Sequence, residues 1–209
     1  MAAIQNPSLC RGQAVYRSNK HLRGFTLLEV LVAIGVLSIG LMATALLISR
    51  TLQDTVRSRQ MSLAAVLASE KLEDLSRWPA SDPHVVVPPG GTAGSLTDDV
   101  TADVVVGATI TRVNYFDDVS EGLTPGSFSE TVSSLDPVTG RLVYTTTTHS
   151  PDGSITTSVS DAPPIEISYK RRWLIEADQP VPGVRRITVV VTTLDPVRPV
   201  RFQMSTVRP

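Results

Sequence analysis

The chain has 209 residues, with 19 Lys and Arg against 20 Asp and Glu and a net charge of −1. Four of the basic residues fall in residues 1–24, which hold no acid, so residues 25–209 carry 15 against 20, a net of −5. An acidic body argues against nucleic-acid binding as the main task, because neutralising phosphates needs a basic surface. The lone cysteine, Cys10, leaves residues 25–209 with none, so no disulfide staples them.

The first segment, residues 1–24, is basic through Arg11, Arg17, Lys20 and Arg23 and ends at Gly24. An apolar run then extends from Phe25 to Ile48, 24 residues in which Glu29 is the only charge. As a helix that run would measure roughly 36 Å, enough to cross a hydrocarbon core about 30 Å thick. A carboxylate in such a segment is costly, on the order of 3 kcal/mol at the helix centre and less near an end. Glu29 therefore asks for a reason.

The continuous Gly24-Phe25-Thr26-Leu27-Leu28-Glu29 pattern, behind a basic leader and ahead of an apolar helix, resembles the cleavage and methylation signal of type IV pilins and type II secretion pseudopilins. The resemblance implies that a prepilin peptidase cuts after Gly24 and methylates the new terminus at Phe25. It also implies that Glu29 guides subunits into a filament. The chemistry is consistent with these roles. A free Phe25 amino group, with a pKa near 8, is mostly protonated at neutral pH and opposed by the positive end of its helix dipole. Glu29 of the same or a neighbouring subunit offsets it. Because an unpaired buried carboxylate is costly and a paired one tolerable, the pairing acts as a register device. Methylation keeps the charge. Gly24 is small and flexible, which suits a peptidase gripping backbone at the membrane face.

Three plainer readings compete. An ordinary secretory signal is suggested by Ala43-Thr44-Ala45, but the apolar run exceeds a typical core of about 7–15 residues and its early acid is out of place. An uncleaved single-span anchor would make Glu29 incidental. A buried helix of a soluble protein is disfavoured by the length of the run.

Helical character continues beyond Ile48. Leu52, Val56, Leu63, Val66, Leu67, Leu72 and Leu75 fall near a 3.6-residue period, and no proline occurs between Phe25 and Trp78. The sequence predicts one helix of about 52 residues, roughly 78 Å long, with an amphipathic second part over 49–78. Gly35 and Gly40 weaken it locally. Leu67-Ala68-Ser69-Glu70-Lys71-Leu72-Glu73 resembles a stretch found in minor pilins of the PilV type and in pseudopilins of the I type. Tyr169-x-x-x-Trp173-x-Ile175 and Arg185–Val191 look similar to the C-terminal sheet of such minor pilins.

Pro79 and Pro83 end the helical pattern, and residues 80–99 read as a loop. Strand grammar follows in Val104–Val113, Arg141–Thr148 and Ser154–Ser160, with Ser150-Pro151-Asp152-Gly153 as a hairpin turn. Ile165, Ile167, Tyr169, Trp173 and Ile175 share one alternating face, with Glu166, Lys170, Arg172 and Glu176 on the other. Val184–Thr193 and Val200–Val207 complete an antiparallel sheet. The expected fold is α+β and pilin-like, with a leader over 1–24, a membrane or filament-core helix over 25–48, an amphipathic continuation over 49–78 and a globular β-rich domain over 79–209.

The remaining candidates are weaker. Asp117, Asp118 and Glu121 offer oxygens to calcium but lack EF-hand spacing and read better as solvated acids. His21, His84 and His149 lie far apart in sequence, so no metal cluster is predicted. Lys170-Arg171-Arg172 and Arg185-Arg186 form local basic runs that read as solvated faces and cross-strand pairs. No nucleophile–base set or phosphate loop stands out, and neither enzymatic activity, a cofactor nor a nucleic-acid partner is expected. The expected role is a minor pilin that primes filament assembly or caps a tip. It would be anchored by one span in the inner membrane with its C-terminal domain in the periplasm. Its partners would be the peptidase, other minor and major pilins, and membrane lipid. The alternatives are an I-type minor pseudopilin of type II secretion, and a membrane-tethered ligand-binding or adhesin module.

Overall fold

The computed structural model describes residues 25–122, 124–195 and 199–209. Cys10, His21 and Gly24 lie outside them. The chain divides into two units, the first closing at Arg50 and the second running from Thr51 to Pro209.

One helix, α1, extends from Leu27 to Arg77, 51 residues, and crosses Gly35 and Gly40 without interruption. In the second unit its residues Ala64, Leu67, Ala68, Leu72 and Leu75 are buried, at spacings of three and four that align one stripe. That stripe lies in one core with Tyr115, Val119, Tyr169, Trp173, Ile175, Ile187, Val189 and Val191. Small Ala64 and Ala68 let the helix backbone approach the sheet.

Ten strands follow among the described residues: β1 Thr92–Gly94, β2 Thr101–Val106, β3 Thr109–Asn114, β4 Phe116–Glu121, β5 Phe128–Leu135, β6 Leu142–His149, β7 Ile155–Ser160, β8 Tyr169–Ala177, β9 Arg185–Thr193 and β10 Arg201–Arg208. The main sheet has the order β10-β9-β8-β4-β5-β6-β7, with β1 also paired to β8, and β2-β3 forms a separate two-stranded sheet. All pairs are antiparallel. An α+β fold with the second part of the helix packed on an antiparallel sheet is the architecture the sequence predicts.

Several elements differ from expectation. The β-branched run 104–113 is a hairpin, not one strand: Gly107 takes a positive φ of 64° and turns the chain between Val106 and Thr109. The acid-rich segment Phe116–Glu121 is a strand rather than a solvated loop, held on both sides by β5 and β8. Residues 80–99 include the short strand β1. The strand predicted from Ile165 begins at Tyr169, and Ile165 itself is fully exposed. Pro163 and Pro164 just before it remove two backbone donors.

The strands β1 and β4 share one edge of β8, β1 opposite Leu174–Glu176 and β4 opposite Tyr169–Arg172. Gly94 closes β1 at φ 85°, and a Cβ there would sit 2.2 Å from the Trp173 carbonyl oxygen and 2.9 Å from Tyr115 Cβ. Only glycine allows β1 to end there.

Candidate functional site

Two places carry chemistry: the start of α1 and the seam where the helix meets the sheet. At the start, Thr26 caps the helix. Its Oγ1 accepts from the Glu29 backbone N–H at 3.3 Å, and its carbonyl accepts from Glu29 and Val30 N–H at 3.0 and 3.2 Å. Thr26-x-x-Glu29 is thus an N-terminal cap with an acid in the first turn, where the dipole favours negative charge. Phe25 is 82% exposed, and every residue from Phe25 to Arg50 is exposed.

Such exposure of an apolar surface all round the helix has no place in water. The helix is long and apolar enough to cross a membrane. Its polar side chains are satisfied within it: Ser38 Oγ donates to the Ile34 carbonyl at 2.8 Å, and Thr44 Oγ1 reaches the Gly40 and Leu41 carbonyls at 3.1 and 2.9 Å. Glu29 is left as the one charge of the span, at its amino-terminal end.

The helix–sheet seam is built differently. Strand alternation puts Tyr169, Arg171, Trp173 and Ile175 on the face of β8 toward the helix. Sequence reasoning missed that Arg171 belongs to this apolar face, although its odd-numbered position gave the signal. Arg171 is fully buried and grips fully buried Asp117 of β4 bidentately, Nε to Oδ1 at 2.7 Å and Nη2 to Oδ2 at 2.8 Å. Its Nη1 donates to the Leu67 carbonyl of the helix at 3.3 Å. Lys71 of the helix lies 2.9 Å from Asp117 Oδ2, with its ammonium 4.5 Å from the Trp173 ring centre. Burial pushes the Asp117 carboxyl up, but Arg171 and Lys71 outweigh it and hold it at about 2. Burial disfavours the Arg171 cation, and Asp117 and Glu130 reverse this so that it stays charged.

The calcium candidates are therefore parted. Asp117 points to the helix and is neutralised by Arg171 and Lys71. Asp118 faces the other side and pairs with Lys170 at 3.1 Å, while Glu121 meets Arg59 at 3.2 Å. The basic run 170–172 is likewise divided: Lys170 and Arg172 both hold Asp99, at 2.7 and 2.8 Å. Arg186 forms a cross-strand bidentate pair with Glu176 at 2.7 and 2.8 Å. The run 170–172 is thus no free cationic face, and Arg185 donates to the Trp78 carbonyl at 2.9 Å.

The seam also gathers residues that the sequence left apart. His149 of β6 lies between Glu70 of the helix and Glu130 of β5, with both contacts at 3.5 Å. His84 is elsewhere, 2.8 Å from Asp82.

A long helix with a capped, acid-bearing apolar start and an antiparallel sheet on its second part is a pilin-like architecture. Comparison with protein families matches residues 19–45 to the prokaryotic N-terminal methylation motif, the prepilin-type signal. That match supports a type IV pilin-like protein, pilin or pseudopilin, made as a membrane-anchored structural subunit that a prepilin peptidase processes and that assembles with other pilins. No curated protein and no solved structure matches the chain.

Proposed function

We propose that the chain is a minor pilin of the PilV type, cut by prepilin peptidase after Gly24, N-methylated at Phe25, and incorporated in a type IV pilus to prime assembly or cap the tip. Residues 25–48 occupy the inner membrane and later the filament core. Residues 49–78 continue the helix into the periplasm, where residues 79–209 form the globular domain. Glu29 pairs with the terminal amine of a neighbouring Phe25.

The observation that carries this reading is the uncovered apolar span 25–48 whose one charge, Glu29, sits in the first turn of the helix and inside the matched motif. A plain anchor needs the apolar surface but has no use for the acid. A pilin needs both, because neighbouring subunits cover the surface and the acid sets their register. The test is intact mass and N-terminal sequencing after co-expression with a prepilin peptidase. A product beginning at N-methylated Phe25, lost when Gly24 is replaced by a bulky residue, is expected. An unprocessed chain under the same conditions would defeat the proposal. Pull-down of processed protein then separates pilus from secretion membership, since pilins are the expected partners and pseudopilins the competing ones.

A further inference from the structure

Glu70 of α1, Glu130 of β5 and His149 of β6 bring one ligand-type atom each to within 4.8 Å of one another. His149 Nδ1 is 3.5 Å from Glu70 Oε1, and its Nε2 is 3.5 Å from Glu130 Oε1. Around a tetrahedral ion with bonds of about 2.0–2.2 Å, neighbouring ligand atoms stand roughly 3.3–3.5 Å apart. The two contacts use opposite ring nitrogens, so an ion held at one of them has one carboxylate already at ligand spacing and draws in the other, whose nearest oxygen is within 4.8 Å, by a side-chain shift.

Two further observations point the same way. Glu70 Oε2 and Glu130 Oε1 are buried and accept no hydrogen bond among the described residues. Arg171 Nη2 comes within 2.8 Å of Glu130 Oε1, an ion-pair contact that leaves the oxygen without an aligned donor. Buried carboxylate oxygens without donors are costly unless something positive meets them; Arg171 does so for Glu130, whereas Glu70 Oε2 has no donor among the described residues. The charge count agrees. Asp117, Glu130 and Glu70 bring three negative charges to the seam, against the two permanent cations Lys71 and Arg171. With His149 neutral, one negative charge is left over.

We propose that Glu70, Glu130 and His149 form a binding site for one zinc-class divalent ion. One imidazole and two carboxylates suit zinc and its neighbours rather than calcium, which takes six to eight oxygens. Phe128 stacks on His149 with ring centres 4.6 Å apart and planes 7° from parallel, which fixes the imidazole plane. Side-chain exposures of 28% at Glu70 and 21% at His149 leave a way in from solvent. The ion ties the helix to the β5–β6 hairpin in a chain whose single cysteine rules out an internal disulfide.

The test uses the full chain in detergent micelles, stripped with a chelator and carrying Cys10→Ser and His21→Gln to remove other ligands. Cobalt is followed by its visible absorption and zinc by calorimetry. One ion per chain is expected, with a thermal midpoint that rises with zinc and does not respond to equimolar calcium. His149→Gln and Glu70→Gln should each weaken zinc binding about tenfold or more, while His84→Gln leaves it unchanged. Absence of saturable one-to-one uptake overturns the site, as does uptake that His149→Gln and Glu70→Gln leave intact. Glu70 is partly exposed on the helix, so its variant serves should His149→Gln disturb the fold.

Discussion

Asp117 and Arg171 stand directly opposite each other on β4 and β8 and share two hydrogen bonds of 2.7 and 2.8 Å, both side chains sealed from solvent. A bidentate carboxylate–guanidinium pair is among the stronger polar contacts, but its desolvation offsets most of the attraction. Its effect is directional. Lys71 and the Leu67 carbonyl bind the same pair from the helix, so the pair fixes how the helix sits on β4 and β8 within the second unit.

Breaking one side of the pair should be severe. Arg171→Met leaves Asp117 with Lys71 alone, and Asp117→Asn leaves a buried guanidinium short of charge; each is expected to destabilise the chain by about 3–5 kcal/mol. Replacing both with apolar residues of similar size should cost clearly less than the sum of the two. Chemical denaturation of both single variants and the double variant measures the coupling directly, and additive losses would sink this account.

The same pair sets an acid limit. Asp117 is held at about 2, against an unfolded value of about 3.9. A depressed folded pKa gives stability that is fully present above the unfolded value and lost as pH falls through the folded one. Stability on the order of 2 kcal/mol should therefore disappear between about pH 4 and pH 2. Thermal midpoints across that range should fall steeply in the wild type. In Asp117→Asn, already destabilised, the slope should be shallower.

How much of this was legible follows from the range of each interaction. The helix and its apolar start are local patterns, read from a run of like residues, and the helix runs from Leu27 with Glu29 in its first turn. Arg171 was legible in part, since position 171 falls between Tyr169 and Trp173 on the inward alternation. Its partner was not, because Asp117 lies 54 positions away and only strand register pairs them. The Asp117-Asp118 segment reads as a loop because acids are depleted in strands. It becomes a strand because Arg171, Lys71 and Lys170 neutralise it from two other elements. Glu70, Glu130 and His149 meet for the same non-local reason.

Gly94 offers a test of the fold that is independent of charge. Alanine there takes an unfavourable positive φ and drives its Cβ to 2.2 Å from the Trp173 carbonyl oxygen, whereas at Gly183, with φ 80°, a Cβ meets nothing within 4 Å. Strain alone costs about 1 kcal/mol, so Gly183→Ala should lower the thermal midpoint slightly. Gly94→Ala adds a backbone clash and should lower it several-fold more. Equal losses at the two positions would show that β1 moves away from β8 freely.

Glu29 separates anchoring from assembly. The surface from Phe25 to Arg50 is uncovered in the single chain, and Glu29 is the only acid on it. Glu29→Leu removes a charge that opposes membrane insertion by up to about 3 kcal/mol, so insertion should be as complete as in the wild type or more so. The proposed cleavage after Gly24 should continue, since the bond to be cut lies four residues before Glu29. If Glu29 pairs with a neighbouring Phe25 amine as proposed, incorporation should fall at least tenfold, because one lost buried pairing of this kind is worth about 3 kcal/mol or more. Glu29→Gln keeps the shape without the charge and should fail in the same way. Membrane fractionation, intact mass and immunoblotting of sheared filaments read the three steps separately. Normal incorporation of Glu29→Gln would show that shape, not charge, sets the register.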